Sequence, residues 1–162
     1  MIVSLNIQDE FTAGLIWRLQ LAAYTVEANI IGYIHIPPLM DTVESIRNCG
    51  EHFYGMYSES EAEGGDLIAA ISYEQEGNQV TLCRMMVHPD YFRRGIARKL
   101  INHVESLFPN ASAFIVSTGS KNEPAVHLYE SMGYTASREW MPVLGLSVTE
   151  FIKAGKKERS YE

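Results

Sequence analysis

The order of hydrophobic and polar residues predicts an alternation of helices and strands along the chain. Apolar residues three or four positions apart favour one long early helix, with one face formed by Leu15, Leu19, Ala22, Val26 and Ile30. The Pro37-Pro38 pair ends this region because the residue before a proline disfavours helical geometry. Asp41 and Glu44 have the spacing of a capping box, so we expect a second, short helix over Thr42–Asn48.

Strand-like segments dominate the middle of the chain. A short strand is expected at Ile2–Leu5, and three more segments are rich in β-branched, aromatic and apolar residues: His52–Tyr57, Asp66–Tyr73 and Gln79–Val87. Their connections, the acidic Glu59–Gly65 loop and a tight turn around Gly77, have the composition of hairpin loops. These three segments are therefore predicted to pair as antiparallel strands.

The second half of the chain returns to an alternating pattern. A strongly amphipathic helix begins after Gly95, a buried strand is expected at Ala113–Thr118, and Asn122 is the predicted cap of a further helix that ends at Gly133. Two late strands follow, at Tyr134–Trp140 and Leu144–Phe151. The order β-α-α-β-β-β-α-β-α-β-β predicts a single α/β domain over residues 1–162, with a frayed charged tail at 156–162.

Composition narrows the class of protein. With 162 residues, 46% apolar and 20% charged, the chain has ordinary globular usage and enough length to bury a core. Its apolar runs are too short to span a bilayer, and Met1–Glu10 lacks the basic residues of a targeting segment. Two cysteines suit a reducing compartment, so we expect a cytoplasmic protein with no membrane contact.

Charge is unevenly distributed. Residues 1–80 hold 2 basic and 12 acidic side chains, whereas residues 81–162 hold 11 basic and 8 acidic ones. The overall charge of −7 argues against a nucleic-acid partner, which would require a concentrated basic face. The asymmetry fits a protein that receives a cation on one side and an anion on the other, although acids on loops also serve solubility. The five histidines lack paired ligand spacing, so no metal site is expected.

The segment Val87–Arg98 has the features of an anion site. It runs from a strand end through a short turn into a helix, whose first N–H groups have no partner within the helix. Gly95 allows an anion to approach the backbone without a Cβ in the way. Arg93, Arg94 and Arg98 add positive charge, unless the first two are simply solvated turn residues.

A second segment, Asn122–Tyr134, places Tyr129 two helical turns after Asn122. A phenol at that position can donate a proton to a leaving group. The alternative is a core tyrosine whose hydroxyl is satisfied by a structural hydrogen bond.

Together these segments resemble the GNAT family of N-acetyltransferases. The family's coenzyme A signature, Gln/Arg-x-x-Gly-x-Gly/Ala after a Val-x-Pro strand end, is matched by Val87, Pro89, Gly95 and Ala97, with Phe92 in place of Gln/Arg. The family's later pattern is matched by Asn122, Ala125, Leu128, Tyr129, Glu130, Gly133 and Tyr134. The resemblance implies a single-domain α/β fold with a mixed, mostly antiparallel sheet of about seven strands and about four helices, splayed between the fourth and fifth strands.

The resemblance also implies site residues and a reaction. Backbone groups of Met85 and Val87 would pair with the pantetheine arm of acetyl-CoA, and Asn122 would bind the same arm. The amides of Arg93, Arg94, Gly95, Ile96, Ala97 and Arg98 would bind the pyrophosphate. An amine would attack the thioester directly, with a backbone N–H near Val87 stabilising the oxyanion and Tyr129 protonating the departing thiolate.

The proton acceptor is not assigned by the resemblance. Many relatives carry a glutamate where this chain has Cys83, and an attacking amine, with a reference pKa of about 10.4, must first lose a proton. The sequence leaves several candidates open: Glu27, His35, His52, His88 or a water chain. Cys83 itself is expected to be a small core residue rather than a nucleophile.

The sequence determines neither the acetyl acceptor nor the oligomeric state. The acidic first half favours a cationic acceptor, either a small-molecule amine or the N-terminus or lysine of a peptide. The absent glutamate also permits an alternative function, an acyl-CoA-binding regulatory or sensor protein without catalysis. A plain interaction domain requires both motifs to be coincidental, and the sequence leaves a homodimer open.

Overall fold

A computed structural model describes residues 1–58 and 65–156. Most of the loop predicted at Glu59–Gly65 (residues 59–64) and most of the predicted tail (residues 157–162) lie outside the described residues. Within the described ranges, no helix is both long enough and apolar enough to cross a membrane.

The observed elements follow the predicted order. The strands are β1 Ile2–Leu5, β2 His52–Tyr57, β3 Leu67–Glu76, β4 Gln79–Val87, β5 Ala113–Gly119, β6 Thr135–Val143 and β7 Leu146–Ala154. The helices are α1 Glu10–Ile31, α2 Val43–Arg47, α3 Ile96–Leu107 and α4 Glu123–Ser131. Two short 3-10 helices, Pro37–Met40 and Pro89–Tyr91, lie in the connections.

All seven strands form one sheet in the order β1-β2-β3-β4-β5-β7-β6. The β4–β5 pair is parallel, and the other neighbours are antiparallel. The parallel pairing covers only four positions, from Gln79 opposite Ala113 to Leu82 opposite Val116. Beyond these positions the two strands diverge, which confirms the predicted splay between the fourth and fifth strands.

The helices cover both faces of the sheet. One hydrophobic cluster joins α1 and α2 to one face, through residues such as Ile16, Ile46 and Met86. The other joins α3 and α4 to the opposite face, through residues such as Leu100 and Phe151. Every residue of β3 from Leu67 to Tyr73 is buried, because this central strand is covered on both sides.

The inward face predicted for α1 was wrong in part. Of the five residues named above only Leu19 is buried, whereas Val26 and Ile30 line an open cleft. The buried residues of the helix form a different set: Ala13, Ile16, Leu19, Gln20, Tyr24, Ala28 and Ile31. The helix contacts the sheet on one side and borders the cleft on another, so its apolar residues serve two surfaces.

The cap predicted for α2 was also wrong. Thr42, not Asp41, is the N-cap: Ser45 N donates to Thr42 Oγ1 at 3.1 Å, and Thr42 N donates to Ser45 Oγ at 2.8 Å. Asp41 does not cap a backbone N–H of this helix: its Oδ1 accepts from Ser45 Oγ at 2.8 Å, and its Oδ2 accepts from Arg84 Nη1 at 2.9 Å. The Asp41 carboxylate, which local spacing predicted to be the cap, therefore forms a long-range ion pair with Arg84.

Candidate active site

A cleft opens where β4 and β5 diverge, bounded by α1 on one side and by the N-terminal ends of α3 and α4. Its volume is about 1030 Å³. Nine of the ten predicted site residues line it: Met85, Val87, Arg93, Gly95, Ile96, Ala97, Arg98, Asn122 and Tyr129. The two sequence segments singled out above therefore meet at one site. A smaller cavity of about 320 Å³ beside β1 and β2 contains none of these residues.

The N-terminus of α3 forms one end of the cleft. Its N-cap, Gly95, adopts a left-handed conformation (φ 74°) and offers no side chain to cap the first helical N–H groups. A Cβ on Gly95 would meet no atom within 4 Å, so the space in front of the backbone is open. Arg93 also has a positive φ of 62°, which turns the chain sharply before the helix. This end has the uncapped amides and the room that a phosphate group requires.

The three arginines of this segment differ in position. Arg93 and Arg98 line the cleft, and Arg98 Nη2 donates to Ser131 Oγ at 2.8 Å, which anchors its guanidinium beside α4. Arg94 is the one predicted residue outside the lining: its Cζ lies over the Tyr91 ring, 4.9 Å from the centroid. Two of the three predicted arginines, Arg93 and Arg98, therefore place positive charge at the cleft.

The exposed edge of β4 carries an arrangement that the sequence did not suggest. The Tyr24 hydroxyl accepts from Met85 N at 3.2 Å and donates to Met85 O at 3.3 Å. Both polar backbone groups of Met85 are thus hydrogen-bonded to a side chain of α1. Burial, then the charge of Glu27, raises the pKa of Tyr24 well above its ordinary value, so this hydroxyl keeps its proton.

Tyr129 and Asn122 lie on the α4 side of the cleft. Asn122 caps α4, because its side chain accepts from Ala125 N at 3.4 Å. Tyr129 is 5% exposed, and among the residues that the structure describes none forms a hydrogen bond with its hydroxyl. Burial and the negative charge of Glu27 raise the pKa of Tyr129 far above neutrality. Its hydroxyl is therefore a proton donor without a structural partner in the described chain.

Of the candidate bases that the sequence left open, Glu27 is the side chain that lies in the cleft. It lines the cleft from α1, and Thr118 Oγ1 of β5 donates to its Oε1 at 3.3 Å. Burial raises the pKa of Glu27, while hydrogen bonds from Asn122 and Thr118 oppose that effect. Glu27 lies about one helical turn after the buried Tyr24, and both side chains line the cleft from α1.

The other candidate bases lie elsewhere. The cleft lining includes none of the three histidines named above. His52 stacks on Tyr73, His35 packs edge-on against Tyr33, and His88 Nδ1 accepts from Asp90 N at 3.1 Å. These contacts give each imidazole a position outside the cleft.

The expectation that Cys83 is a core residue was wrong. β4 bulges at this position, where Ser72 pairs with Arg84 and Tyr73 pairs with Leu82, so Cys83 has no partner on β3. Its side chain borders the cleft, where desolvation and then the nearby Glu51 and Glu74 carboxylates raise the pKa of the thiol to about 12. A thiol with this pKa stays protonated at neutral pH and is a poor nucleophile.

A network of charges centred on Arg84 of β4 borders the cleft. Arg84 Nε and Nη2 donate to the two oxygens of Glu51 at 3.1 and 3.2 Å. Its Nη1 donates to Asp41 Oδ2 at 2.9 Å and to Gln20 Oε1 at 2.7 Å. Glu51 also lies with Glu74 and Cys83 in a group whose ligand-type atoms are within 4.8 Å of one another. Because Glu51 is already paired with Arg84, this group is explained without a metal.

Comparison with solved structures identifies the fold. The ribosomal-protein-S18-alanine N-acetyltransferase from Escherichia coli is similar with a TM-score of 0.73 and 15% identity, covering 95% of this chain and 92% of that one. NAA60 from Arabidopsis thaliana, solved with a bisubstrate analogue, has a TM-score of 0.67 and 18% identity, covering 96% and 98%. PaiA N-acetyltransferase from Thermoplasma acidophilum, solved with coenzyme A, has a TM-score of 0.66 and 15% identity, covering 95% and 98%.

The sequence itself identifies the family. Residues 16–134 match the model of the acetyltransferase (GNAT) family. This chain belongs to that family, and the predicted resemblance and fold are confirmed. The UPF0157 protein YqkA from Bacillus subtilis (strain 168) is 36% identical over 151 residues, which are 93% of this chain and 43% of that protein. The chain thus spans less than half the length of this curated relative.

Proposed function

We propose that the protein is an N-acetyltransferase that moves an acetyl group from acetyl-CoA to a primary, cationic amine. The observation that carries this proposal is the splayed cleft, in which the uncapped N-terminus of α3 and the free hydroxyl of Tyr129 line the same space. Membership of the GNAT family agrees with it.

The cofactor end of the cleft fits a coenzyme A pyrophosphate. The amides from Arg93 through Arg98 are the proposed cradle, with Gly95 leaving room for the phosphate and Arg93 and Arg98 contributing charge. The Phe92 substitution is compatible with this assignment because backbone N–H groups form most of the cradle. The β4 edge and Asn122 are the proposed contacts of the pantetheine arm. Met85 can make that contact only if Tyr24 releases its backbone groups.

Acetyl-CoA supplies an activated acyl group as a thioester. Tyr129 is the proposed general acid, because its raised pKa keeps the hydroxyl protonated until a thiolate needs the proton. A backbone N–H of the β4 edge is the proposed oxyanion donor.

A cationic acceptor is supported by the carboxylates of the cleft. Among the described residues Glu27, Asp41 and Glu51 line it, and Arg84 pairs with the last two. The candidates are a small-molecule amine or the N-terminus or lysine of a peptide. Two solved structures with this fold are the ribosomal-protein-S18-alanine N-acetyltransferase from Escherichia coli and the NatC complex bound to Gag peptide and CoA, and they support a peptide acceptor only as a class.

The test is calorimetric binding of acetyl-CoA to the wild type and to Gly95→Asp. The substitution places a Cβ and a negative charge in the proposed cradle, and we expect binding to weaken at least about tenfold, which corresponds to about 1.4 kcal/mol. Gly77→Asp is the matched control: Gly77 also has a positive φ (59°) and open space around its Cβ position, but it lies outside the cleft. The control should bind acetyl-CoA like the wild type.

A folded wild type that fails to bind acetyl-CoA would refute the proposal. If it binds, a screen of primary amines that follows thiol release tests transfer. Equal affinity of Gly95→Asp and Gly77→Asp would remove the turn before α3 as the phosphate site.

A further inference from the structure

The cleft holds a carboxylate for which the proposed chemistry has, so far, no use. Within the described part of the chain, three carboxylates line it: Glu27, Asp41 and Glu51. Arg84 binds the last two through charged hydrogen bonds of 2.9 to 3.2 Å. Glu27 forms no ion pair with a described residue, and the groups that donate hydrogen bonds to it are neutral: the Thr118 hydroxyl, 3.3 Å from its Oε1, and the Asn122 side-chain amide. A partly buried carboxylate without a cation is costly, which suggests a role in binding or catalysis.

We propose that Glu27 is the general base of the acetyl transfer: it binds the acceptor ammonium and removes one proton from it. This inference rests on the proposed function and adds to it a residue outside the two motifs, on a helix that neither motif includes. The position on α1 is compatible with the absence of a glutamate at Cys83, because Glu27 of α1 and Cys83 of β4 line the same cleft.

The surroundings of Glu27 suit this role. The titratable and charged neighbours that face it are Tyr24 of α1, Tyr129 of α4 and, farther along β4, Arg84. The two tyrosines have raised pKa values and stay neutral at physiological pH. The side chains nearest to Glu27 are thus neutral, and an incoming ammonium would supply the counter-charge of its carboxylate.

The protons balance with Glu27 and Tyr129 in complementary roles. Glu27 accepts one proton from the ammonium and later releases it to water, and the freed nitrogen lone pair forms the N–C bond to the thioester carbonyl carbon. As the C–S bond breaks, Tyr129 donates its proton to the sulfur and regains one from the nitrogen. One of the three ammonium protons stays on the amide, so the reaction releases coenzyme A as the thiol and one proton to solvent.

The part of the cleft beside Glu27 suggests suitable probes. Its α1 side is apolar, formed by Ala23, Val26, Ile30 and Ile31, with Ile36 and Pro37 beyond. A primary amine on an apolar carrier would place its ammonium at the carboxylate and its carbon chain on this wall. Butylamine and 2-phenylethylamine are therefore the first probes, with an alanyl peptide amide as a third.

The experiment compares the wild type, Glu27→Gln and Glu27→Asp in thiol release across pH 6 to 10. Glutamine preserves shape and can still accept from Thr118 but cannot take a proton. Glu10→Gln is the matched control, because Glu10 is an exposed acid in the first turn of the same helix. Calorimetry with coenzyme A on every variant separates cofactor binding from the transfer step.

The expected result has three parts. Coenzyme A binding is unchanged in Glu27→Gln, its transfer rate at pH 7 falls about 10²–10⁴-fold, and Glu27→Asp restores part of the rate. The ratio of wild-type to Glu27→Gln rates shrinks toward pH 10, because free amine then forms without a base. Glu10→Gln matches the wild type throughout.

Several outcomes would overturn the inference. One is a Glu27→Gln enzyme as active as the wild type at pH 7, and another is a loss that stays constant from pH 6 to 10, which would indicate a structural role. A wild type that binds coenzyme A but neither acetylates nor binds any of the amines would refute the cationic acceptor, and Glu27 as its base with it. Failure to bind coenzyme A at all would instead identify the proposed function as the error.

Discussion

The Arg84 network offers a prediction whose magnitude follows from the structure. The Arg84 side chain is 12% exposed, and those of its partners Asp41 and Glu51 are 18% and 11% exposed. Arg84→Met would leave both carboxylates desolvated without a counter-charge. Removing one partner of a buried ion pair costs about 3–5 kcal/mol, and the residual exposure of these groups places our expectation near the lower limit, at about 3 kcal/mol.

That loss should be easy to measure. For a chain of this length, 1 kcal/mol corresponds to a change in Tm of about 2–4 °C, so Arg84→Met should melt about 6–12 °C below the wild type. Urea unfolding followed by circular dichroism gives the free energy of unfolding, and an unchanged m value would show that the unfolded state is unaffected. The protein should remain folded, since domains typically have about 5–15 kcal/mol of stability.

Two comparison variants separate the causes. Arg138→Met removes an arginine that is 65% exposed and paired with Glu150 at 3.3 Å, and it should cost less than about 1 kcal/mol. The triple variant Arg84→Met, Asp41→Asn, Glu51→Gln removes the uncompensated charges and should recover more than half of the loss. The reasoning is refuted if Arg84→Met costs less than about 1 kcal/mol, or if the triple variant is no more stable than the single one.

Two tyrosine variants test the assigned roles of buried hydroxyls. Tyr129→Phe should leave acetyl-CoA affinity within about twofold but lower the transfer rate about 10²–10⁴-fold in the thiol-release assay. An unchanged transfer rate would show that Tyr129 is not the general acid. A wild type that binds acetyl-CoA without transferring the acetyl group would instead favour a sensor protein. Tyr134→Phe removes the hydroxyl that donates to Glu105 Oε2 at 2.9 Å, beside the Lys153–Glu105 ion pair at 2.7 Å. It should lower the free energy of unfolding in urea by about 1–3 kcal/mol and leave the transfer rate unchanged. A loss of activity without a loss of stability would contradict the structural role of Tyr134.

Elements were predictable where local signals agreed with one another. The bounds of β4, Gln79–Val87, were predicted to the residue, because its apolar and β-branched run is bordered by a Gly-Asn turn and by Pro89. Asn122 was correctly identified as the cap of α4, since an Asn-Glu-Pro sequence supplies both a capping side chain and a proline in the first turn. In both cases the interactions that determine the element lie within a few consecutive residues.

Elements whose side chains serve distant partners were mispredicted. Asp41 had the right spacing to cap α2, but the ion pair with Arg84, 43 residues later, outweighs a cap that Thr42 can supply equally well. The inward face of α1 was misassigned because hydropathy does not distinguish an apolar residue facing the sheet from one facing a cleft. Val26 and Ile30 are on the cleft side, where the apolar surface is available to a ligand.

The candidate site likewise combines residues that local sequence signals predicted with one, Glu27, that depends on a distant contact. Its motif half, from Arg93 to Tyr129, was visible in the sequence because helix starts and caps are local features. Glu27 was one of several open candidates, since the Thr118 that contacts it lies 91 residues away.

The uneven charge of the chain also gains a structural explanation at the cleft. Glu27, Asp41 and Glu51, all from the acidic first half, line the cleft together with Arg93 and Arg98 from the basic half. Arg84, also from the basic half, pairs with Asp41 and Glu51, whereas Glu27 forms no ion pair with a described residue. The fold thus brings a separation of charge along the sequence into a single cavity, as the proposed cationic acceptor and anionic cofactor require. Within the proposed function, Glu27 is the carboxylate that would receive the acceptor ammonium, because the groups that hydrogen-bond to it, Thr118 and Asn122, are neutral.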